Sequence, residues 1–277
     1  MNKLFVVILL SVAAVGQAAA ADLAPMLRPP MPASYDWSGV YIGAHAGGGW
    51  QTTNFADPDA YSNLVNCCVL IGATNLGTAP SNATSSSFLG GAQVGWMYQI
   101  GRLVVGSDFD WSATHLNGGA NGVSFPTITG TSFANETYSV DTKWTATSTA
   151  TVGIARDRWM FYSKAGVAAA DSTYGLNIAG AGAGVPFSFG SSTSNTVIGW
   201  TVGTGVKWAF SQNWFVNVEY DYLDFGSKAQ NMNGVFTATP AFFAGSPAAT
   251  FNPTFDQHIS EVKVGLNYKF SPGFLFW

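Results

Sequence analysis

Asp108 and Asp110 are two residues apart, as are Glu219 and Asp221, so an extended chain would place each pair of carboxyl groups on one face. Paired carboxylates carry general acid/base work when their surroundings push their pKa values apart. Lys143, Lys164, Lys207, Lys263 and Lys269 share the alternation of these acids within their own segments. A polar core of paired charges is therefore the simpler chemistry, and catalysis the lesser expectation. His45, His115 and His258 fall on different segments without the spacing of a metal centre. His45 reads as an interior histidine bonded to its neighbours. Cys67 and Cys68 are adjacent in a polar stretch that has no histidine. They read first as an incidental loop pair, with a strained vicinal disulfide or an interchain bridge as the alternatives. No nucleophile motif occurs, and the glycine-rich GWTVGTGVKW precedes no helix, so it does not read as a phosphate loop. No catalytic residue, metal or cofactor is assigned.

The composition restricts what can position these groups. Charged residues make up 9% and aromatics 14% of the 277 residues, with 32 glycines, and a water-facing surface needs more charge than that. Mean hydropathy is only slightly positive, and beyond the first twenty residues no apolar stretch approaches the roughly 20 residues of a spanning helix. A transmembrane barrel reconciles these facts, because its strands alternate apolar lipid-facing residues with small or polar interior ones. A net charge of −4 and the lack of any Lys/Arg run exclude a nucleic-acid partner. Residues 1–20 have the form of a signal peptide: Lys3, an apolar core, then alanines that place cleavage after Ala20 or Ala21. Residues 21–36, with Pro25, Pro29, Pro30 and Pro32, read as a periplasmic linker.

From Trp37 the chain shows eight segments of strand-like alternation: 40–50, 88–99, 103–113, 141–154, 159–168, 196–208, 214–223 and 258–270. They are separated alternately by tight turns and by long stretches at about 51–86, 114–138, 171–195 and 226–256, which read as loops. The expectation is an all-β fold, an eight-stranded antiparallel up-and-down transmembrane barrel over 37–270 with short periplasmic turns and long extracellular loops. Residues 271–277 form an extension. Within each segment the charges keep to one parity, and a Lys or Arg facing the bilayer midplane costs about 2–4 kcal/mol. That assigns His45, Asp108, Asp110, Lys143, Lys164, Lys207, Glu219, Asp221 and Lys263 to a polar lumen network. Trp96, Tyr98, Trp159, Trp208, Trp214 and Tyr268 gather near the turns, and Trp50, Trp111, Trp144, Trp200 and Tyr222 near the loops. Two aromatic girdles are what two membrane interfaces select. A soluble β-sandwich or lipocalin-like barrel would alternate too, but with the opposite faces and more charge.

The stretches WSGVYIGAHAGGGW (37–50), FLGGAQVGWMYQ (88–99), VGWTVGTGVKWAFSQNWFVNVEYDYLDFG and VKVGLNYKF resemble the RopB-type outer-membrane immunogenic proteins, small OmpA-like barrels often labelled porin-family. The resemblance implies the cell outer membrane, an eight-stranded fold, and a role in envelope integrity or host contact. It implies lipopolysaccharide and the barrel-assembly machinery as partners, with Val264, Leu266, Tyr268 and Phe270 resembling the terminal assembly signal. The family often carries arginines where Thr149 and Thr151 stand, leaving Lys164 and Lys207 as replacements. Its members usually end at the aromatic matching Phe270, whereas SPGFLFW follows here. The function expected is a surface barrel without catalysis; a small-solute channel and a rim enzyme are the alternatives.

Overall fold

The computed structural model describes residues 35–56, 81–126, 133–182, 185–238 and 248–270. Eight antiparallel strands close into a ring: β1 (Gly39–Ala56), β2 (Ser81–Ile100), β3 (Leu103–Pro126), β4 (Phe133–Arg156), β5 (Trp159–Gly182), β6 (Val185–Ala209), β7 (Trp214–Ala229) and, last in the chain, β11 (Thr254–Lys269). Each strand pairs with its neighbour in sequence, and β1 closes the ring on β11 from Tyr41↔Lys269 to Ala56↔Thr254. Closure leaves no wall strand with an unpaired edge, which a bilayer demands. Three short strands, β8 (Met232–Val235), β9 (Thr237–Ala238) and β10 (Ala248–Phe251), lie between β7 and β11. β8 pairs with β10, and β9 with β6.

The turns at one end are tight. Gly101 and Asp157 take the left-handed region, φ 63° and 54°, at the first position of the β2–β3 and β4–β5 turns, where positive φ matches the twist of a hairpin. The other end is built differently from the sequence expectation. β4 and β5 run for 24 residues each and β6 for 25, against the 9–11 or so that span a bilayer. Much of 114–138 and 171–195, read above as loops, is a continuation of the wall. The reason lies in side chains the loop reading passed over. Tyr138, Val140, Tyr174, Leu176, Ile178, Phe187 and Phe189 are buried while the Ser, Thr, Asn and Gly between them face outward, which is strand alternation in polar disguise.

Two bulges oppose one another on β3 and β4. The register jumps between Ala113 and Leu116 and between Thr142 and Trp144, so His115 and Lys143 lack ladder partners. The inward parity therefore changes along β4: Tyr138, Val140 and Thr142 point in on one side of the bulge, and Thr145, Thr147 and Thr149 on the other. Such an insertion re-aims the residues beyond it.

Apolar side chains on the outside form a continuous belt that includes Ile42, Val94, Phe109, Val152, Phe161, Val218, Val264 and Leu266. A belt of this extent on a soluble monomer would be an aggregation surface, whereas lipid covers it at no cost. Trp200 and Trp208 mark its borders on β6, eight residues or about 26 Å of strand apart, and strand tilt brings that close to the about 25 Å band of membrane barrels.

Glycines on the inner wall admit rings that a side chain would exclude. A Cβ at Gly205 would lie 2.6 Å from both the Tyr162 hydroxyl and the Val218 carbonyl oxygen. Gly205→Ala should lower stability by about 1–3 kcal/mol in urea titrations of detergent-folded protein. Gly190→Ala, where nothing lies within 4 Å, should leave the midpoint in place.

Candidate functional site

The interior is stacked in layers, and the chemistry-bearing residues occupy its middle. Asp108 and Asp110 enter from β3, Lys164 from β5, Lys207 from β6, Glu219 and Asp221 from β7, and Glu261 and Lys263 from β11, all buried. Lys164 Nζ lies 3.0 Å from Asp221, 3.1 Å from Glu219 and 3.3 Å from Asp110. Lys263 Nζ lies 2.8 Å from Asp221, 3.2 Å from Glu219 and 3.6 Å from Glu261. Two ammonium groups, from β5 and β11, thus share the two carboxylates of β7 between them. Lys207 meets Asp108 at 3.4 Å and lies over the rings of Tyr41 and Tyr162, 4.6 and 4.8 Å from their centroids.

Hydroxyls bond four of the carboxylates as well, while Asp221 is met by the two ammonium groups alone. Tyr162 donates to Glu219 at 2.6 Å, Thr145 to Glu261 at 2.8 Å, Thr147 to Asp110 at 3.2 Å, and Thr151 to Asp108. His45 lies 3.1 Å from Gln93 Oε1 and 2.8 Å from Ser112 Oγ. Gln93 donates onward to Asn217 at 3.1 Å and Asn267 at 2.5 Å. A second polar tier sits nearer the loop end, where Gln257 Nε2 lies 3.1, 3.0 and 3.2 Å from Gln51 Oε1, Thr142 Oγ1 and Ser172 Oγ. Buried charges paired in this way are the form a structural polar core takes, because a charge out of water is tolerated only beside its counter-charge.

Aromatic and aliphatic groups cap the polar layer at both ends. Near the turns, Trp37 is fully buried between Tyr35 and Phe215, with ring centroids 4.7 and 5.7 Å away, and its backbone N–H donates to Gln99 at 2.9 Å. Tyr35 lies ahead of the first strand; burial pushes its phenol up to about 12, Arg158 opposing and Asp36 adding to the shift. Toward the loops, Phe55, Tyr138, Tyr174 and Phe255 make contacts of 4.6 to 6.4 Å between centroids. Above them β8, β10 and Phe236 fold in, so that Phe236 and Phe251 pack on Phe189 at 5.1 and 4.9 Å.

Of the nine residues assigned to the lumen, Lys143 is the exception. It is exposed on the outer wall, because it is the extra residue of the β4 bulge and the parity that placed it inside does not continue across that point. The structure adds Tyr162, Gln93, Asn217, Glu261 and Asn267 to the network. Glu261, Gln93, Asn217 and Asn267 share the parity of the charged residues, which was the available signal. All eleven girdle aromatics are at least partly exposed on the outside. Trp159 stacks on Trp208 at 5.8 Å, Trp214 meets Tyr268 at 5.1 Å, and Trp200 meets Tyr222 at 5.7 Å. Val264 and Leu266 point outward, and Tyr268 and Phe270 are partly exposed. Cys67, Cys68 and residues 1–34 and 271–277 lie outside the described residues.

The family described as outer membrane protein beta-barrel domain matches residues 5–270. The chain belongs to this family. It is 27% identical over 276 residues, 95% of this chain and 99% of the relative, to a 31 kDa outer-membrane immunogenic protein of Brucella melitensis. Similar solved structures include neisserial surface protein A, with 14% identity, TM-score 0.38 and 84% and 98% of the two chains covered. Another is OprG of Pseudomonas aeruginosa, with 12% identity, TM-score 0.41 and coverage of 86% and 98%. The protein is therefore an outer-membrane barrel with an immunogenic outer-membrane relative, as the motifs implied.

Proposed function

We propose that this barrel is a closed, non-catalytic scaffold whose extracellular hairpins serve envelope integrity and contact with host or neighbouring surfaces. The observation that carries the reading is the filled lumen, a charge-paired polar layer between two aromatic layers. An interior occupied by its own side chains leaves recognition to the ends of the wall, and ends held by a rigid scaffold are the usual place for binding. The same reading takes residues 1–20 as the export signal and lipopolysaccharide as the lipid against the outer girdle. It takes Val264, Leu266, Tyr268 and Phe270 as the strand end offered to the assembly machinery; their outward alternation supports that part.

The projecting β5–β6 hairpin gives a direct test, because Gly175 pairs with Ser192 well above the girdle at Trp200. Replacing the chain between these two positions with a two-residue turn should leave heat-modifiable migration on a detergent gel intact. Binding of antibodies raised against the folded protein should fall on intact cells. Unchanged binding, or loss of a measured catalytic activity on substituting Asp108 or Glu219 in a barrel that still folds, would overturn the reading.

A further inference from the structure

We propose that the outer wall of the extracellular end carries a divalent transition-metal site formed by Asp224, Asp256 and His258. The site lies on β7 and β11, outside the lumen network and apart from the hairpin tips. His258 pairs with Asp224 across the ladder, and the register shifts at Gln257/His258, where Gly226 takes φ 62° and Phe225 lacks a partner. The bulge leaves Asp224, Asp256 and His258 together, each partly exposed, on the outer face. His258 Nδ1 lies 3.5 Å from Asp224 Oδ1, and Nε2 lies 3.5 Å from Asp256 Oδ1. One donor atom from each residue falls within 4.8 Å of the others.

Groups that are not donors hold the donors in place. The Gly226 N–H donates to Asp224 Oδ1 at 2.8 Å. The Tyr222 hydroxyl lies 3.0 Å from His258 Nδ1, with the two rings within 16° of parallel. With Nδ1 so engaged, Nε2 is the nitrogen left for a metal, and outer partners of this kind fix the tautomer and aim of a ligating imidazole.

Charge decides between a metal and a simple ion triad. Among the described residues, His258 is the one cationic partner within ion-pair distance of Asp224 and Asp256. A protonated imidazole between two carboxylates leaves the trio at −1, next to the Trp200–Tyr222 girdle pair. A divalent ion with a neutral imidazole brings the sum to zero. Mixed nitrogen and carboxylate donors suit zinc and its first-row neighbours, while magnesium and calcium prefer oxygen alone. Three protein ligands leave coordination positions open toward the headgroup layer.

The test titrates zinc chloride into the detergent-folded full chain by calorimetry, in a Cys67→Ser/Cys68→Ser background that removes the thiols. A single zinc per chain is expected. His258→Gln, Asp224→Asn and Asp256→Asn should each weaken it by more than about tenfold, and Tyr222→Phe by roughly tenfold. Magnesium at the same concentrations should not compete. Each variant keeps heat-modifiable migration, since the three side chains lie on the outer wall. No zinc binding by the parent, or binding that survives His258→Gln unchanged, sinks the proposal.

Discussion

Lys263→Met is expected to destabilise the folded barrel by about 3–5 kcal/mol, the usual cost of removing one partner from a buried ion pair. Lys263 is fully buried and within 3.6 Å of Glu219, Asp221 and Glu261. Its loss leaves three carboxylates buried, with Lys164 the one ammonium group still reaching Glu219 and Asp221. Methionine keeps the volume, so the loss is electrostatic rather than a cavity. The urea midpoint should fall with the slope unchanged. Adding Asp221→Asn should restore part of the loss, because it removes one of the charges left behind; Lys228→Met, on the exposed end of β7, should change stability by less than about 0.5 kcal/mol. A midpoint unmoved by Lys263→Met would mean that the polar layer is hydrated from outside and not sealed.

Val264→Arg probes the opposite face of the same strand and should cost roughly 2–4 kcal/mol. Val264 is 55% exposed on the outside, between Val262 and Leu266 and away from both girdles, so the new guanidinium would lie in hydrocarbon. Folding yield into lipid vesicles should drop, and equilibrium unfolding should shift by that amount. Lys143→Val, at the bulge, should be nearly neutral, since Lys143 already faces outward at the loop side of Trp144. An arginine tolerated at 264 would mean that this face does not meet lipid.

The two predictions show how far the sequence could be read. Lys263 and Val264 are adjacent, and alternation alone sent one to the lumen and the other to lipid, because a strand can hide charge only on the side away from the bilayer. The same reasoning oriented Asp108, Asp110, Lys164, Lys207, Glu219 and Asp221 and the tryptophans of both girdles. It failed at Lys143 because a bulge adds one residue, and one residue inverts every later side chain. No turn residue announces that bulge: Asp141 and Lys143 share a parity and Thr142 alone points in. The length of the wall was also hidden. Segments such as 171–195 are rich in Gly, Ser and Asn, residues that favour turns, yet Tyr174, Leu176, Phe187 and Phe189 at alternate positions pack inward and impose the strand. The upper aromatic layer depends on contacts between Phe189, Phe236 and Phe251, positions up to 62 residues apart, and only tertiary structure brings them together. Asp224, Asp256 and His258 were missed for a related reason. Their spacing along the chain is meaningless until β7 and β11 are laid side by side.

Whether the lumen is closed can be measured directly by single-molecule conductance of the purified, folded protein in planar lipid bilayers. The layered interior predicts a flat baseline at physiological salt, with no steady open level in either polarity. Steady, size-selective currents carried by the folded chain would contradict it, and would make the Lys164–Lys263 layer the lining of a pore.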